Sequence, residues 1–242
     1  MIRLILVFLF LVIFFILSIP IILIELLVGL ISKNAEKKSS LFIVNLAFKI
    51  ITFLSGIKLN IKGLENVPKD EPVLYVGNHR SFFDVVVSYP LVTRSTGFVS
   101  KIEIKKVPIL SWWMIILDCL FMDRKDVKQS ANVIFAAIDK IKNGISICIY
   151  PEGTRNATDE DMLPFHKGSF KPAQRTNCPI VPVVITGSRE VFEDHLPFIH
   201  ASNITVEYLP PERFTEISKD DQKHIDEYFY NKMLQTYKKN KG

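Results

Sequence analysis

The chain reads as an α/β domain, a mixed sheet flanked by helices, preceded by an N-terminal pair of apolar helices suited to a membrane. Three observations predict this. From about Ile57, short apolar runs of strand length alternate with segments of helical period, the pattern of strands and helices sharing one core. Leu4 to Ile24 is an uncharged run of 21 residues, about 31 Å long as a helix and close to the hydrocarbon thickness of a bilayer. Charge is uneven as well. Met1 to Lys62 holds seven bases and two acids, leaving 23 of each for the rest, so the whole surplus of +5 sits in the apolar N-terminal quarter.

That placement suits a segment meeting anionic lipid headgroups. It argues against a nucleic-acid binder, whose basic charge would spread or stripe across the folded domain. With 242 residues, 48% of them hydrophobic, and a mean hydropathy of +0.23, the chain has material for one domain plus one extra apolar element. The expected division is residues 1–56, membrane-associated helices, and residues 57–242, the α/β domain. A secretory signal is the other reading of the start, but the apolar run exceeds a typical signal core and no A-x-A-like site follows, so the segment reads as retained. Cys119, Cys148 and Cys178 stand in no paired or C-x-x-C spacing, which argues against a disulfide framework or zinc site and places the domain in a reducing compartment.

In chain order, the first helix runs from about Leu4 to Ile31, with Pro20 kinking or dividing it. "SKNAEKKSS", Ser32 to Ser40, reads as a polar turn. A second helix, Leu41 to Gly56, has Lys49 as its only charge and Asn45 as its only other strongly polar side chain. Two such helices form a membrane hairpin or lie together in one leaflet. The strands that follow are "KLNIKG", "VLYVG", "GFVS", "CLFM", "ISICIY", "IVPVVIT" and "ITVEYL". Between them, Val127, Ala131, Ile134, Ile138 and Ile141 mark the core face of an amphipathic helix. The tail from Ser218 reads as a helix with Ile225, Tyr228, Phe229 and Met233 inside and a frayed "KKNKG" end.

Two strand ends carry chemistry. "GNHRSFFD", Gly77 to Asp84, directly follows "VLYV". Positions i and i+5 lie about 140° apart on a helix, so His79 and Asp84 pair only across a loop and a helix start. Ser81 with Asp84 fits a capping box, which puts Asp84 in the first helical turn and His79 in the loop before it. From there the carboxylate can fix the imidazole tautomer and leave the other nitrogen as a base. Alternatively, Asp84 is only a cap and His79 a loop histidine. "YPEGTRN" ends "ISICIY"; Gly153 and Thr154 offer backbone N–H groups and Arg155 a planar fork for phosphate oxygens, or the stretch is an ordinary turn. Pro182, inside an apolar strand, marks an edge, a bulge or a site wall.

With "CLFMDR", "LPFHKGSF" and "IVPVVITG", these stretches in this order resemble the glycerolipid acyltransferase family. Its N-H-x4-D motif is matched by Asn78, His79 and Asp84, and its F-P-E-G-T-R-S motif by Pro151, Glu152, Gly153, Thr154 and Arg155, with Tyr150 and Asn156 differing. Its G-x-x-F-I-D-R motif corresponds to Asp118 through Arg124, with Asp118 in place of Gly and Met122 in place of Ile. Its V-P-V-x-I stretch matches Val181, Pro182, Val183 and Ile185. The resemblance covers roughly residues 57–209.

The resemblance implies acyl transfer from a thioester, acyl-CoA or acyl carrier protein, to the 2-hydroxyl of a lysophosphatidic acid, with His79 as general base and Asp84 steadying the imidazolium. It implies a substrate-binding set of Arg124, Glu152, Gly153, Thr154 and Arg155 at the acceptor phosphate. Asn78, Arg80, Lys101 and Pro182 are secondary candidates; for Arg80 and Lys101 the alternative is a solvated side chain. No cofactor beyond the acyl carrier and no metal is expected. The rivals are another lysolipid as acceptor, a cysteine hydrolase using Cys148 or Cys178 with His79, and a lipid-binding relative without catalysis. The positive-inside rule sets Lys33, Lys37 and Lys38 in the cytoplasm, and a second crossing would carry the domain to the wrong side. The expected arrangement therefore has both helices embedded in the cytoplasmic leaflet, with the α/β domain on the cytoplasmic side.

Overall fold

In the computed structural model, which describes residues 1–92 and 94–241, the helices are α1 (Ile2–Ile31), α2 (Lys33–Leu54), α3 (Phe83–Ser88), α4 (Leu110–Ile116), α5 (Val127–Lys142), α6 (Lys171–Thr176), α7 (Lys219–Lys223) and α8 (Ile225–Lys241). The strands are β1 (Lys58–Lys62), β2 (Leu74–Gly77), β3 (Thr96–Lys101), β4 (Leu120–Met122), β5 (Ser146–Ile149), β6 (Ile180–Thr186) and β7 (Asn203–Tyr208), one at each predicted run. They form a single mixed sheet in the order β1-β7-β6-β2-β5-β3-β4. Strands β6, β2, β5, β3 and β4 run parallel; β7 pairs antiparallel with β6, and β1 runs with β7. Alternate residues feed two cores. Tyr75, Phe98, Cys148, Val181, Val183 and Ile185 face the side of α1 to α4, while Leu74, Val76, Ile147, Ile149, Ile180 and Val184 face α5, α6 and α8.

Among the described residues, α1 is the one helix long and apolar enough to cross a membrane. It nevertheless packs along its length. Val7, Ile22 and Gly29 are buried on one stripe, Phe14 stacks on Trp113 of α4 at 6.4 Å, and the Trp113 indole N–H donates to Ser18 at 3.0 Å. Near its start Arg3 lies against Gly56, so close that a Cβ on Gly56 would fall 2.8 Å from the Arg3 Nε. The Ser39 hydroxyl donates to Glu25 at 2.6 Å and ties α2 to α1. The opposite side is apolar and open: Ile2, Phe8, Leu9, Ile16, Leu23 and Leu27 are each more than half exposed.

Several local expectations change. Pro20 does not divide α1, which is helical from Ile2 to Ile31 with buried residues on both sides of the proline. Ser32 to Ser40 is not a turn: Ser32 alone breaks the helices and caps α2 by accepting the Ala35 N–H, and Lys33 onward is helical. On α5, Val127 is 84% exposed and Ala131 is also exposed; the buried face is Val133, Ile134, Ala137, Ile138 and Ile141, because the first turn overhangs the short edge strand β4. The tail is helical to Lys241 rather than frayed, and Gly242 lies outside the described residues. Asn240 donates to Glu207, Lys62 donates to Asn240 and Lys241 pairs with Asp161, so α8 is stapled to the sheet to its end. Asp118 sits at φ 62°, the left-handed region where glycine is at ease and Asp is among the better-tolerated alternatives. Its carboxylate takes Lys37 of α2 at 2.6 Å and Lys140 of α5 at 2.7 Å.

Pro182 is neither at an edge nor a wall of the site. β6 lies inside the sheet, and alternation puts Pro182 with Ile180 and Val184 on the α5–α8 side. The third reading describes the neighbouring chain: Leu209 donates to the Pro182 carbonyl and Ile180 exchanges bonds with Glu212, so three steps of chain oppose two. That bulge passes the residue that has no N–H to offer.

Candidate active site

The carboxyl ends of β2, β5, β3 and β4 stand side by side, the usual place for ligands in an α/β sheet. They carry Asn78–His79, Pro151–Arg155, Lys101 and Asp123–Arg124 in turn. At ~4.8 Å per strand, Lys101 lies about 10 Å and Arg124 about 14 Å along the sheet from the β2 end.

His79 Nδ1 lies 2.8 Å from Asp84 Oδ2, and Asp84 is fully buried. The same oxygen accepts the Arg80 and Ser81 backbone N–H groups at 2.7 and 2.8 Å, so three donors converge on it and hold the carboxylate still. Half of the expected capping box forms. Asp84 bonds back to the Ser81 N–H, but the Ser81 hydroxyl accepts from Phe83 at 3.0 Å. With Nδ1–H directed at the carboxylate, Nε2 is the nitrogen left for chemistry. The ring stacks on Tyr150 at 4.2 Å and 15°, which fixes its plane.

The Pro-Glu-Gly-Thr-Arg stretch divides between support and surface. Glu152, expected at the substrate, is 3% exposed and spends both oxygens on backbone: Oε1 accepts the His79 N–H at 2.6 Å and Oε2 the Leu163 N–H at 2.9 Å. Asn156, also buried, donates its N–H to the His79 carbonyl at 2.7 Å, so both sides of the histidine's backbone are gripped by this loop. Burial pushes the Glu152 carboxyl up to about 7, against two backbone hydrogen bonds that lower it. The folded protein therefore keeps a proton here that the unfolded chain releases above 4.5. Stability from this group is complete below pH 4.5 and is lost as pH rises through about 7, a total of about 3 kcal/mol. Denaturant titrations from pH 4.5 to 8 are expected to show that decline in the wild type and a flatter profile in Glu152→Gln; equal slopes would mean that Glu152 is ionised throughout.

The Gly153 N–H is not open to a ligand, since it closes a turn to the Tyr150 carbonyl at 3.0 Å. Gly153 is required for another reason: at φ 69° it lies under the His166 ring, and a Cβ would come within 2.9 Å of it. Thr154 is exposed and Arg155 half-buried. The Arg155 guanidinium lies 3.5 Å over the Phe82 ring and pairs with Glu193 at 3.3 Å. Glu193 also accepts the Ser81 hydroxyl at 2.6 Å and the Phe82 N–H at 2.9 Å, joining Arg155 to the His79 loop. Nothing in the sequence marks Glu193, which stands 109 positions beyond Asp84.

The secondary candidates separate as well. Arg80 is neither solvated nor at the site; it is 8% exposed and donates to the carbonyls of Thr158, Glu160 and Asp161. Asn78, fully buried, accepts the Ile185 N–H and donates to the Ile185 carbonyl, continuing the β2–β6 ladder where β2 stops. Lys101 is an exposed partner of Glu103 at 3.0 Å, and Arg124 is exposed at the end of the edge strand. Cys148 and Cys178 are buried, and burial pushes both thiols above their ordinary range, the wrong direction for a thiolate nucleophile.

The sequence profile of the acyltransferase family matches residues 58–186. The chain is 35% identical over 137 residues to the chloroplastic 1-acyl-sn-glycerol-3-phosphate acyltransferase BAT2 of Brassica napus, covering 55% of this chain and 39% of that one. It is 28% identical over 193 residues to the 1-acyl-sn-glycerol-3-phosphate acyltransferase of Saccharomyces cerevisiae, covering 79% and 63%. The chain thus spans less than two thirds of these relatives' length. Its fold is similar to the crystal structure of the 1-acyl-sn-glycerophosphate acyltransferase PlsC from Thermotoga maritima, with a TM-score of 0.78 and 22% identity over 98% of this chain and 97% of that one.

Proposed function

We propose, on the premise that this chain belongs to the acyltransferase family, that it moves an acyl chain from a thioester to the 2-hydroxyl of a 1-acylglycerol 3-phosphate, forming phosphatidate. The observation that carries the reading is the His79–Asp84 pair at 2.8 Å, fixed by backbone donors at a strand end. In the reaction His79 Nε2 takes the hydroxyl proton as the oxygen attacks the thioester carbonyl carbon. Collapse of the tetrahedral adduct breaks the C–S bond, and the imidazolium returns its proton to the departing thiolate. Asp84 stays ionised and steadies the imidazolium. Arg155, held between Phe82 and Glu193 beside the same loop, receives the acceptor phosphate, with Arg124 farther along the strand ends.

The names of the relatives support the phosphorylated acceptor, and the anion-suited Arg155 supports it independently. The deciding experiment offers the purified protein a panel of lysolipids with acyl-CoA or acyl carrier protein and identifies the products by mass spectrometry. Phosphatidate from lysophosphatidate is the expected product; turnover of an uncharged lysolipid in preference to it would overturn the acceptor assignment. Arg155→Lys is expected to raise the acceptor KM about tenfold with little change in kcat, since Lys keeps the charge but loses the two-pronged contact. An effect confined to the acyl donor would move Arg155 to the carrier site.

The protein lies in the cytoplasmic leaflet without crossing it. The packing of α1 on α4 at Phe14 and Ser18 and the pairing of Lys37 of α2 with Asp118 support this arrangement, since a crossing α1 would have to leave those contacts. In a variant whose native cysteines are replaced, a cysteine at Arg3 or at Asp159 is expected to react only with a reagent on the cytoplasmic side of intact vesicles. Labelling of the Arg3 position from the outside alone would establish a crossing.

A further inference from the structure

We propose that the segment from Ile102 to Ile116, a 3₁₀ turn followed by α4, is a second membrane-contact element, with Val107, Trp112 and Ile115 in the bilayer interface and Lys105 and Lys106 against anionic headgroups. This rests on the reading that α1 and α2 contact lipid. Trp113, 3% exposed, stacks on Phe14 and bonds to Ser18, so the orientation of α4 beside α1 is fixed. The adjacent face is left uncovered. Val107 and Trp112 are each 45% exposed and Ile115 is 54% exposed, with Trp112 and Ile115 three positions apart on one side of the helix. Because Trp113 packs α4 on α1, that patch lies on a helix held beside α1.

Lys105 and Lys106, both exposed, end the 3₁₀ turn, and none of the described ion pairs takes either; the nearby Glu103 is paired with Lys101. The combination selects a lipid surface over a protein. Tryptophan gathers where apolar tails meet polar heads, and lysines gain from anionic lipid, whereas lysine is depleted from protein–protein interfaces. The geometry gives the contact a consequence. The segment leaves the carboxyl end of β3, so headgroups held by Lys105 and Lys106 lie beside the row of strand ends. An acceptor lipid then reaches the site without leaving the membrane.

The test reconstitutes the whole protein into phosphatidylcholine vesicles, with or without phosphatidylglycerol, whose acyl chains carry bromine near the carbonyl. Wild-type tryptophan emission is expected to be quenched, and Trp112→Phe to lose that shallow quenching while still floating with the vesicles. Phosphatidylglycerol is expected to deepen quenching in the wild type but not in the variant with Lys105→Glu and Lys106→Glu. Flotation with quenching unchanged in Trp112→Phe would overturn this inference and leave α1 and α2 as the sole anchor. Failure to float would overturn both readings. Concentration-dependent shielding of Trp112 in detergent without lipid would assign the face to a second copy and overturn the bilayer assignment.

Discussion

His79→Ala is expected to lower acyl transfer by about 10²- to 10⁴-fold, the usual cost of a lost general base, while leaving the fold intact. The fold survives because the loop is held through groups that alanine retains: the residue-79 N–H on Glu152 and its carbonyl on the Asn156 N–H. What leaves is a ring stacked on Tyr150 and one of the three donors on the buried Asp84 carboxylate, together a loss of about 3 kcal/mol. Transfer at a near-normal rate in this variant would remove His79 from the chemistry.

Asp84→Asn is expected to cost up to about 10⁴-fold, with the protein still folded. Oδ2 of Asp84 accepts from the His79 ring and from two backbone N–H groups. An asparagine oxygen at the Oδ2 position keeps all three donors, its NH₂ falls at the buried position of Oδ1, which has no partner, and what is lost is the negative charge that steadies the imidazolium. The ring then sits in place, but the charge it gains on taking the proton is uncompensated in a buried setting. The discriminating readout is binding: acceptor affinity is expected to be unchanged while turnover collapses. A matching loss of affinity would mean that Asp84 acts by shaping the loop.

The sheet was legible because strand-length apolar runs separated by polar punctuation have few other uses, and all seven appear in the fold. Boundaries were less legible where tertiary contacts set them. "SKNAEKKSS" has the composition of a turn, yet Ala, Glu and Lys are good helix formers, and the Glu36 carboxylate tucks against Gly29 of α1, a contact that no local pattern announces. On α5 the periodicity finds the buried Ile134, Ile138 and Ile141 but extends the face to the exposed Val127 and Ala131, because a repeat carries no mark of where packing begins. At the site, spacing identified the His79–Asp84 pair but could not divide a motif by role. Glu152 and Arg155 are three residues apart, one buried as a brace under His79 and the other lying over Phe82. Glu193 was invisible, since its place beside Ser81 and Arg155 is made by the loop after β6 and by no sequence neighbour.

The central claim is that His79 activates an acceptor hydroxyl against a thioester. Its most direct measurement counts thiol released and phosphatidate formed in one sample, for the wild type and His79→Ala in vesicles containing lysophosphatidate. The account predicts equal molar amounts of both products from the wild type and neither from the variant. Thiol release matched by free fatty acid, or wild-type product levels from His79→Ala, would contradict it.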